Sequence, residues 1–334
     1  TDVTDKQAPE IGRSGLVTAA LWSDTNNDGW PDLLVAHEWG PVKVYLNSEG
    51  TFEDRSVTAG TSELLGWWNG ITGRDIDGDE DIDYVVTNFG LNTKYHASRA
   101  KPAYLYYGAF DDSGQWRLVE AEYEGNKLFP IRGKSCSTRA MPHLGQNFEI
   151  YHEFALADIM QIYTPECLED AHRFEATTLE SGVLLNDGAG RFSFHPLPRI
   201  AQISPAFGVT LTEIDGDGHP DIYLVQNFFS PQLETGLMAG GLSQALLGKG
   251  DGSFVPVAPN RSGLVVPSDG KSLVATDLDG DRRPDFVVGV NDNQAVAFQR
   301  QGDGPNQVVQ VRLMGDRVTT TALGATVTLK PDSG

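Results

Sequence analysis

Four copies of one acidic nonapeptide recur along the chain, and each runs directly into a short apolar strand. They are Asp24-Thr-Asn26-Asn-Asp28-Gly-Trp30-Pro-Asp32, Asp75-Ile-Asp77-Gly-Asp79-Glu-Asp81-Ile-Asp83, Glu213-Ile-Asp215-Gly-Asp217-Gly-His219-Pro-Asp221 and Asp277-Leu-Asp279-Gly-Asp281-Arg-Arg283-Pro-Asp285. Positions 1, 3, 5 and 9 carry an oxygen side chain in every copy. Carboxylates crowded into one turn repel each other unless a hard cation sits among them, and Ca²⁺ takes about six to eight such oxygens. The reading is therefore about four calcium loops. Position 7 is Trp30, Asp81, His219 or Arg283, a freedom that fits a ligand supplied by the backbone carbonyl alone. The alternative is an acidic turn that binds nothing, since Asp, Asn and Gly favour turns in their own right.

The first five positions also open an EF-hand, but that motif needs a bidentate Glu at position 12 and then a helix. Position 12 here is Val35, Val86, Leu224 or Val288, inside runs such as Tyr84-Val-Val-Thr87 and Ile222-Tyr-Leu-Val225 that have strand composition. The EF-hand is excluded, and the ninth-position Asp closes the loop at the start of a strand instead.

Behind each loop a longer unit repeats. Val42–Asn47, a turn, Thr51–Ser56 and Asn69–Arg74 follow the first copy. Gly182–Asn186, Arg191–Pro196 and Phe207–Thr212 restate that order, and so do Ala245–Gly248, Ser253–Val257 and Ser272–Thr276. Four short strands per unit of about 50 residues predict an all-β fold, a β-propeller of four-stranded blades. Loops starting at 24, 75, 213 and 277 leave one long interval. The expectation for it is a blade over 83–132, a small helical insertion over about 133–172, and a blade resuming near Phe174. The count is then five blades, or six or seven if the insertion hides strands. The chain is expected to begin inside a third strand at residues 1–4, with Leu16–Trp22 as a fourth strand that helps to close the last blade. On this reading residues 1–305 are the propeller and 306–334 begin a separate C-terminal β segment. Asp111–Arg117 reads as an ordinary hairpin turn.

The net charge of −21, from 46 acidic and 25 basic residues, argues against nucleic acid and anionic membranes as partners. No run of apolar residues is long enough to span a bilayer. Low-affinity calcium modules belong where Ca²⁺ is millimolar, which places the chain outside the cell or on its surface. In that setting Cys136 and Cys167 are expected to pair, with two buried thiols as the alternative. No targeting segment precedes residue 1, so a removed or upstream region is expected there.

No H-E-x-x-H, G-x-S-x-G or phosphate-cradling loop is present, and no catalytic residue is assigned. His143, His152, Glu149, Glu153 and Glu166 fall together in the insertion, where a solvated helical face is favoured over an acid–base or transition-metal cluster. Trp39, Trp67, Trp68, Phe89, Phe228 and Phe229 lie in or beside loops. They suit either a sugar- or protein-binding rim or packing between neighbouring blades.

The D-x-[DN]-x-D-G-x-x-D loops, each followed by a strand and an N-x-G-x-F-type turn, resemble the FG-GAP/VCBS repeats of integrin-like β-propellers. Val311-Arg-Leu313 and Thr321–Leu329 look like the start of an ASPIC/UnbV segment, a pairing found in proteins similar to cartilage acidic protein and in secreted bacterial proteins. The resemblance implies a calcium-stabilised extracellular propeller for adhesion, recognition or scaffolding, with a protein or glycan partner. A structural subunit of a surface layer or fibre, built by self-assembly, and a polysaccharide-active enzyme are the alternatives.

Overall fold

The computed structural model describes residues 2–111 and 113–301, with single positions at 311, 313 and 327. Apart from those three positions, the expected ASPIC/UnbV stretch lies outside the described residues. The described residues fold mainly as antiparallel β-sheets, and among them no sheet closes on itself.

Four sheets carry the repeats. The first runs Leu16–Ser23, Asp32–Glu38, Lys43–Ser48, Thr51–Asp54, and the second runs Gly70–Arg74, Asp83–Thr87, Gly182–Asn186, Phe192–Pro196. The third runs Ala206–Thr212, Asp221–Gln226, Gln244–Gly248, Phe254–Pro256, and the fourth, among the described residues, Gly270–Thr276, Asp285–Val290, Val296–Phe298. Their second strands are the apolar runs seen in the sequence. Leu34, Val86, Leu224 and Val288 are among their fully buried members, because these strands are covered on both faces and so need no polar alternation.

The acidic loops join the first and second strands of one and the same sheet. This shifts the repeat unit read from the sequence, which began behind each loop: the strand before the loop belongs to the same sheet as the strand after it. The expected third strand at the N-terminus is also corrected: Thr4–Gln7 is a short helix, and Leu16–Ser23 pairs with Asp32–Glu38 rather than completing the last sheet. The first strands of the four sheets lie side by side in chain order. Glycine is what lets them approach, since a Cβ on Gly70 would sit 2.3 Å from the Phe207 carbonyl oxygen and one on Gly208 2.7 Å from the Leu273 nitrogen.

The largest revision concerns the long interval. Asp83–Thr87 pairs with Gly182–Asn186, so residues 88–181 are inserted between the second and third strands of the second sheet. The blade expected over 83–132 does not form. Ala103–Ala109, Trp116–Glu124 and Lys127–Pro130 instead join His172–Ala176 in a separate four-stranded sheet. The 109–116 connection is the hairpin expected there. Five short helices from Lys134 to Asp170 cover one face of this sheet, and Tyr106, Val119, Met141, Leu144, Ile159 and Ile162 form the core between them. One of these helices, Ile159–Tyr163, opens with a full capping box at Asp158 and Gln161.

Cys136 and Cys167 are free thiols, which corrects the expected pairing. Each is engaged separately: Gln232 Nε2 donates to Cys136 Sγ at 3.4 Å, and Cys167 packs against the core of the insertion. No helix among the described residues is long and apolar enough to cross a membrane.

Candidate metal centres

The ninth-position aspartates Asp32, Asp83, Asp221 and Asp285 are buried, at 0–1% exposure. Each plays one role with both carboxylate oxygens. Oδ2 accepts the backbone N–H of position 2, from Thr25, Ile76, Ile214 and Leu278 at 2.9, 2.9, 2.6 and 2.8 Å. Oδ1 accepts a backbone N–H from beyond the hairpin, from Asn47, Asn186, Gly248 and Arg300 at 2.8, 2.8, 2.9 and 2.8 Å. The residue that closes the loop therefore also fastens it to the third strand of its sheet, or in the fourth sheet to Arg300 just past that strand. Sequence reasoning saw the aspartates but missed these partners. The available signal was the Leu-Asn at or near the end of the third strand in the first two copies, Leu46-Asn47 and Leu185-Asn186.

The remaining loop residues keep a shared geometry. The first-position carboxylate accepts two loop N–H groups: Asp28 and Gly29 for Asp24, Gly78 and Glu80 for Asp75, Gly216 and Gly218 for Glu213, Gly280 and Arg282 for Asp277. The fifth-position Asp accepts the N–H of position 7, linking Asp28 to Trp30, Asp79 to Asp81, Asp217 to His219 and Asp281 to Arg283 at 2.8–3.0 Å. A sixth residue with positive φ makes the turn, and Glu80 and Arg282 adopt it where the other copies use Gly29 and Gly218.

These contacts bring positions 1, 3 and 9 together. One oxygen from each of Asp75, Asp77 and Asp83 lies within 4.8 Å of the others, and the same holds for Glu213, Asp215 and Asp221 and for Asp277, Asp279 and Asp285. Glu213, with its extra methylene, joins its group as the aspartates do. In the first copy Asn26 supplies an amide at position 3. The fifth-position aspartates lie outside the three close groups, and the seventh position enters through its backbone. The Asp81 side chain turns away from its own loop and accepts the Asn27 amide of the first. Asn186 Nδ2 reaches the Thr25 carbonyl at 2.9 Å, so the first two loops lie against each other.

The electrostatics of the second and third loops are those of anions short of a cation. Burial pushes the carboxyls of Asp83 and Asp221 up to about 6, and the nearby charges that add to the rise are other carboxylates, Asp77 and Asp79 in one case, Asp215 and Glu213 in the other. Burial also raises Asp32 and Asp77. Asp77 Oδ1 is buried without a hydrogen-bond partner. An orphaned carboxylate oxygen facing two more carboxylates is costly unless a cation balances it. The donor set of hard oxygens fits Ca²⁺ or Mg²⁺ and not a soft metal.

The other sequence candidates separate from these sites. Trp39, Trp68 and Phe89 are buried, and Trp67 and Phe228 are half-buried. Trp67 stacks on Phe89 at 4.0 Å between ring centres and lies 5.0 Å from Trp39, while Phe228 meets Phe89 and Phe207 edge-on. These rings pack the sheets and the insertion together, and Phe229 alone of the six is exposed. His152 and Glu153 lie exposed on the helix Tyr151–Leu156, and no group with metal-ligating geometry forms in the insertion among the described residues.

Residues 24–86 match the model of an FG-GAP-like repeat. They cover the first loop, the first sheet's remaining strands and the second loop, the stretch over which the repeat unit is least interrupted. No curated protein matches the chain. Among solved structures, it is similar to the V. cholerae biofilm matrix protein Bap1 at 11% identity, over 83% of this chain and 60% of that one, with a TM-score of 0.24. A second is BBS1N, solved in complex with ARL6DN, at 10% identity over 87% of this chain and 94% of that one, with a TM-score of 0.22. The chain thus spans less than two thirds of the length of Bap1.

Proposed function

We propose that this chain is a calcium-stabilised module of the β-propeller type that works outside the cell in adhesion or recognition. The observation that carries the reading is Asp77 Oδ1, a buried oxygen without a partner inside a group of three carboxylates. Asp75, Asp77 and Asp83 would hold one ion, with the Asp81 carbonyl and Asp79 completing the loop. Glu213, Asp215, Asp217, the His219 carbonyl and Asp221 would hold a second. Asp277, Asp279, Asp281, the Arg283 carbonyl and Asp285 would hold a third. Asp24, Asn26, Asp28, the Trp30 carbonyl and Asp32 would hold a fourth.

The bound ion would supply charge compensation and fix the loop. The chain's own residues do the rest: the ninth-position Asp ties each loop to the third strand, and the second strand carries that order into the core. Binding to the folded state alone stabilises by mass action, so calcium would serve the fold before it serves any partner. The side-by-side first strands support a propeller-type arrangement of the four repeat sheets, with the insertion as an added unit on the second. We read the chain as a binding module and not an enzyme, and its partner as an extracellular protein or glycan.

Calcium titration by calorimetry tests the reading. Wild type should bind calcium, and Asp77→Ala should lose one site while keeping the others. No binding in wild type, or an unchanged stoichiometry in the variant, contradicts it.

A further inference from the structure

Residues 23–28 divide their contacts by alternation. Asp24, Asn26 and Asp28 belong to the ligand set proposed for one ion. The residues between them are held by the second sheet. Ser23 Oγ accepts the Tyr84 hydroxyl at 2.7 Å, the Thr25 carbonyl accepts Asn186 Nδ2 at 2.9 Å, and the Asn27 amide donates to Asp81 Oδ1. Asn27 stands at φ 58°, in the left-handed region that Asn tolerates better than most residues, and its bond to Asp81 holds it there.

Each of these three partners is tied to the second loop as well. Tyr84 directly follows the closing Asp83. Asn186 gives its backbone N–H to Asp83 Oδ1 at 2.8 Å, and its amide reaches the Ile82 carbonyl at 3.2 Å as well as Thr25. Asp81 is the seventh-position residue, with its carbonyl proposed for the second ion and its side chain turned to the first loop. Gly188, at φ 76°, makes room for that side chain, since a Cβ there would collide with Asp81 Oδ2. The two loops are also unequal. The second has carboxylates at Asp75, Asp77, Asp79, Asp81 and Asp83, whereas the first has Asp24, Asp28 and Asp32 with the Asn26 amide among them. More carboxylates make the tighter calcium loop. In the third sheet Gly248 takes the place of Asn186, giving its N–H to Asp221 at 2.9 Å, and it has no side chain with which to reach back to the second loop.

We propose that the first two loops take up their ions as a coupled pair, with order imposed on Asp81–Asp83 carried by Asp81 and Asn186 into Asn27 and Thr25. The inference rests on the calcium reading of the loops and adds a linkage between two of the sites. Once the second loop is fixed, the first no longer bears the full entropic cost of ordering residues 24–28. The Asp81 carboxylate, standing between the loops, offsets the repulsion between two bound cations. The coupling is reciprocal, so an ion in the first loop strengthens the second by the same factor.

Terbium tests it, as a hard cation that takes calcium's oxygen sites and emits when a nearby indole is excited. Trp30 is the seventh residue of the first loop, so the part of the emission lost in Trp30→Phe reports that loop. Asp77→Ala, which removes a ligand proposed for the second loop, should keep the first site but raise its terbium midpoint about tenfold. Asn27→Gly alters no proposed ligand and keeps the left-handed turn, and it should raise the same midpoint with the second loop intact. In a chain carrying Asn27→Gly and Asn186→Ala, adding Asp77→Ala should leave the midpoint where it was. Asp215→Ala, in the third loop, should not move it. A chain that binds terbium but whose first-loop midpoint ignores both Asp77→Ala and Asn27→Gly overturns the coupling and leaves the metal reading standing. A shift with Asp215→Ala as large as that with Asp77→Ala overturns the coupling too. A chain that binds no terbium overturns both.

Discussion

The repeat sheets and the inserted unit reach order by different routes. In three of the four repeat sheets the decisive contacts are local: nine residues of loop, the strand that follows, and one buried aspartate whose two oxygens bind the amides on either side. In the second the same aspartate reaches across the insertion to Asn186. In the insertion the sheet is assembled from strands as distant as Ala103–Ala109 and His172–Ala176, and five helices cover it with a conventional apolar core. The first design leaves buried negative charge to be balanced from outside. The second is complete in itself. Dependence on an ion should therefore be confined to the repeat sheets.

The largest effect is expected where that difference is sharpest. Asp83→Ala or Asp221→Ala leaves two buried amides unsatisfied and removes a candidate ligand. Each should cost about 2–5 kcal/mol, read as a lower midpoint in urea. Alanine at Asp158, which caps a helix of the insertion, should cost only about 1 kcal/mol. Equal losses at the two places would break the contrast.

Calcium withdrawal comes next. At a calcium concentration of about 100 Kd each proposed site would contribute about 2.7 kcal/mol. Chelation should speed hydrogen exchange in Asp83–Thr87 and Asp221–Gln226 while leaving the core of the insertion protected. Uniform deprotection would show that the two regions do not differ.

A smaller effect should follow from pH in the chelated protein. Asp83 and Asp221 titrate at about 6 when folded and near the ordinary carboxylate value when unfolded. Between about pH 4 and 6 the folded state holds protons that the unfolded state has lost, so these groups make stability fall as pH rises through that window. The chelated chain should melt higher at pH 5 than at pH 7 as far as these groups decide. Calcium binding runs the other way and should strengthen up to about pH 6 and level off above it. Melting curves at both pH values, with and without calcium, check the crossing.

The smallest effects belong to the surface of the insertion. His152→Ala and Glu153→Ala should change stability by less than about 0.5 kcal/mol, because both are exposed. A larger loss would mean that these side chains hold something the packing does not show.

What the sequence disclosed follows the same division. The loops and the buried strands behind them were legible because their information is contiguous: oxygen at positions 1, 3, 5 and 9, then an uninterrupted apolar run. The phase of the sheets was not legible. A loop between two strands reads the same whether those strands belong to one sheet or two, and the answer lies in the pairing of Leu21 with Leu34 and of Thr72 with Val85. The insertion was misplaced for a related reason. Ala103–Ala109 and Trp116–Glu124 have strand composition, and nothing local says that their fourth partner comes from His172–Ala176 or that Val85 pairs with Val183. Of the aromatic residues, the sequence offered a rim and a packing role alike, and the stacking of Trp67 on Phe89 decides for packing.

The most direct test of the central claim is a thermal melt of the wild-type chain at increasing calcium, with bound calcium counted in the same samples. The account predicts a midpoint that climbs with calcium concentration and three to four ions bound per chain, one for each acidic loop that closes on a buried aspartate. A midpoint indifferent to calcium, in a chain that binds none, would contradict it and leave the four loops as hydrogen-bonded turns.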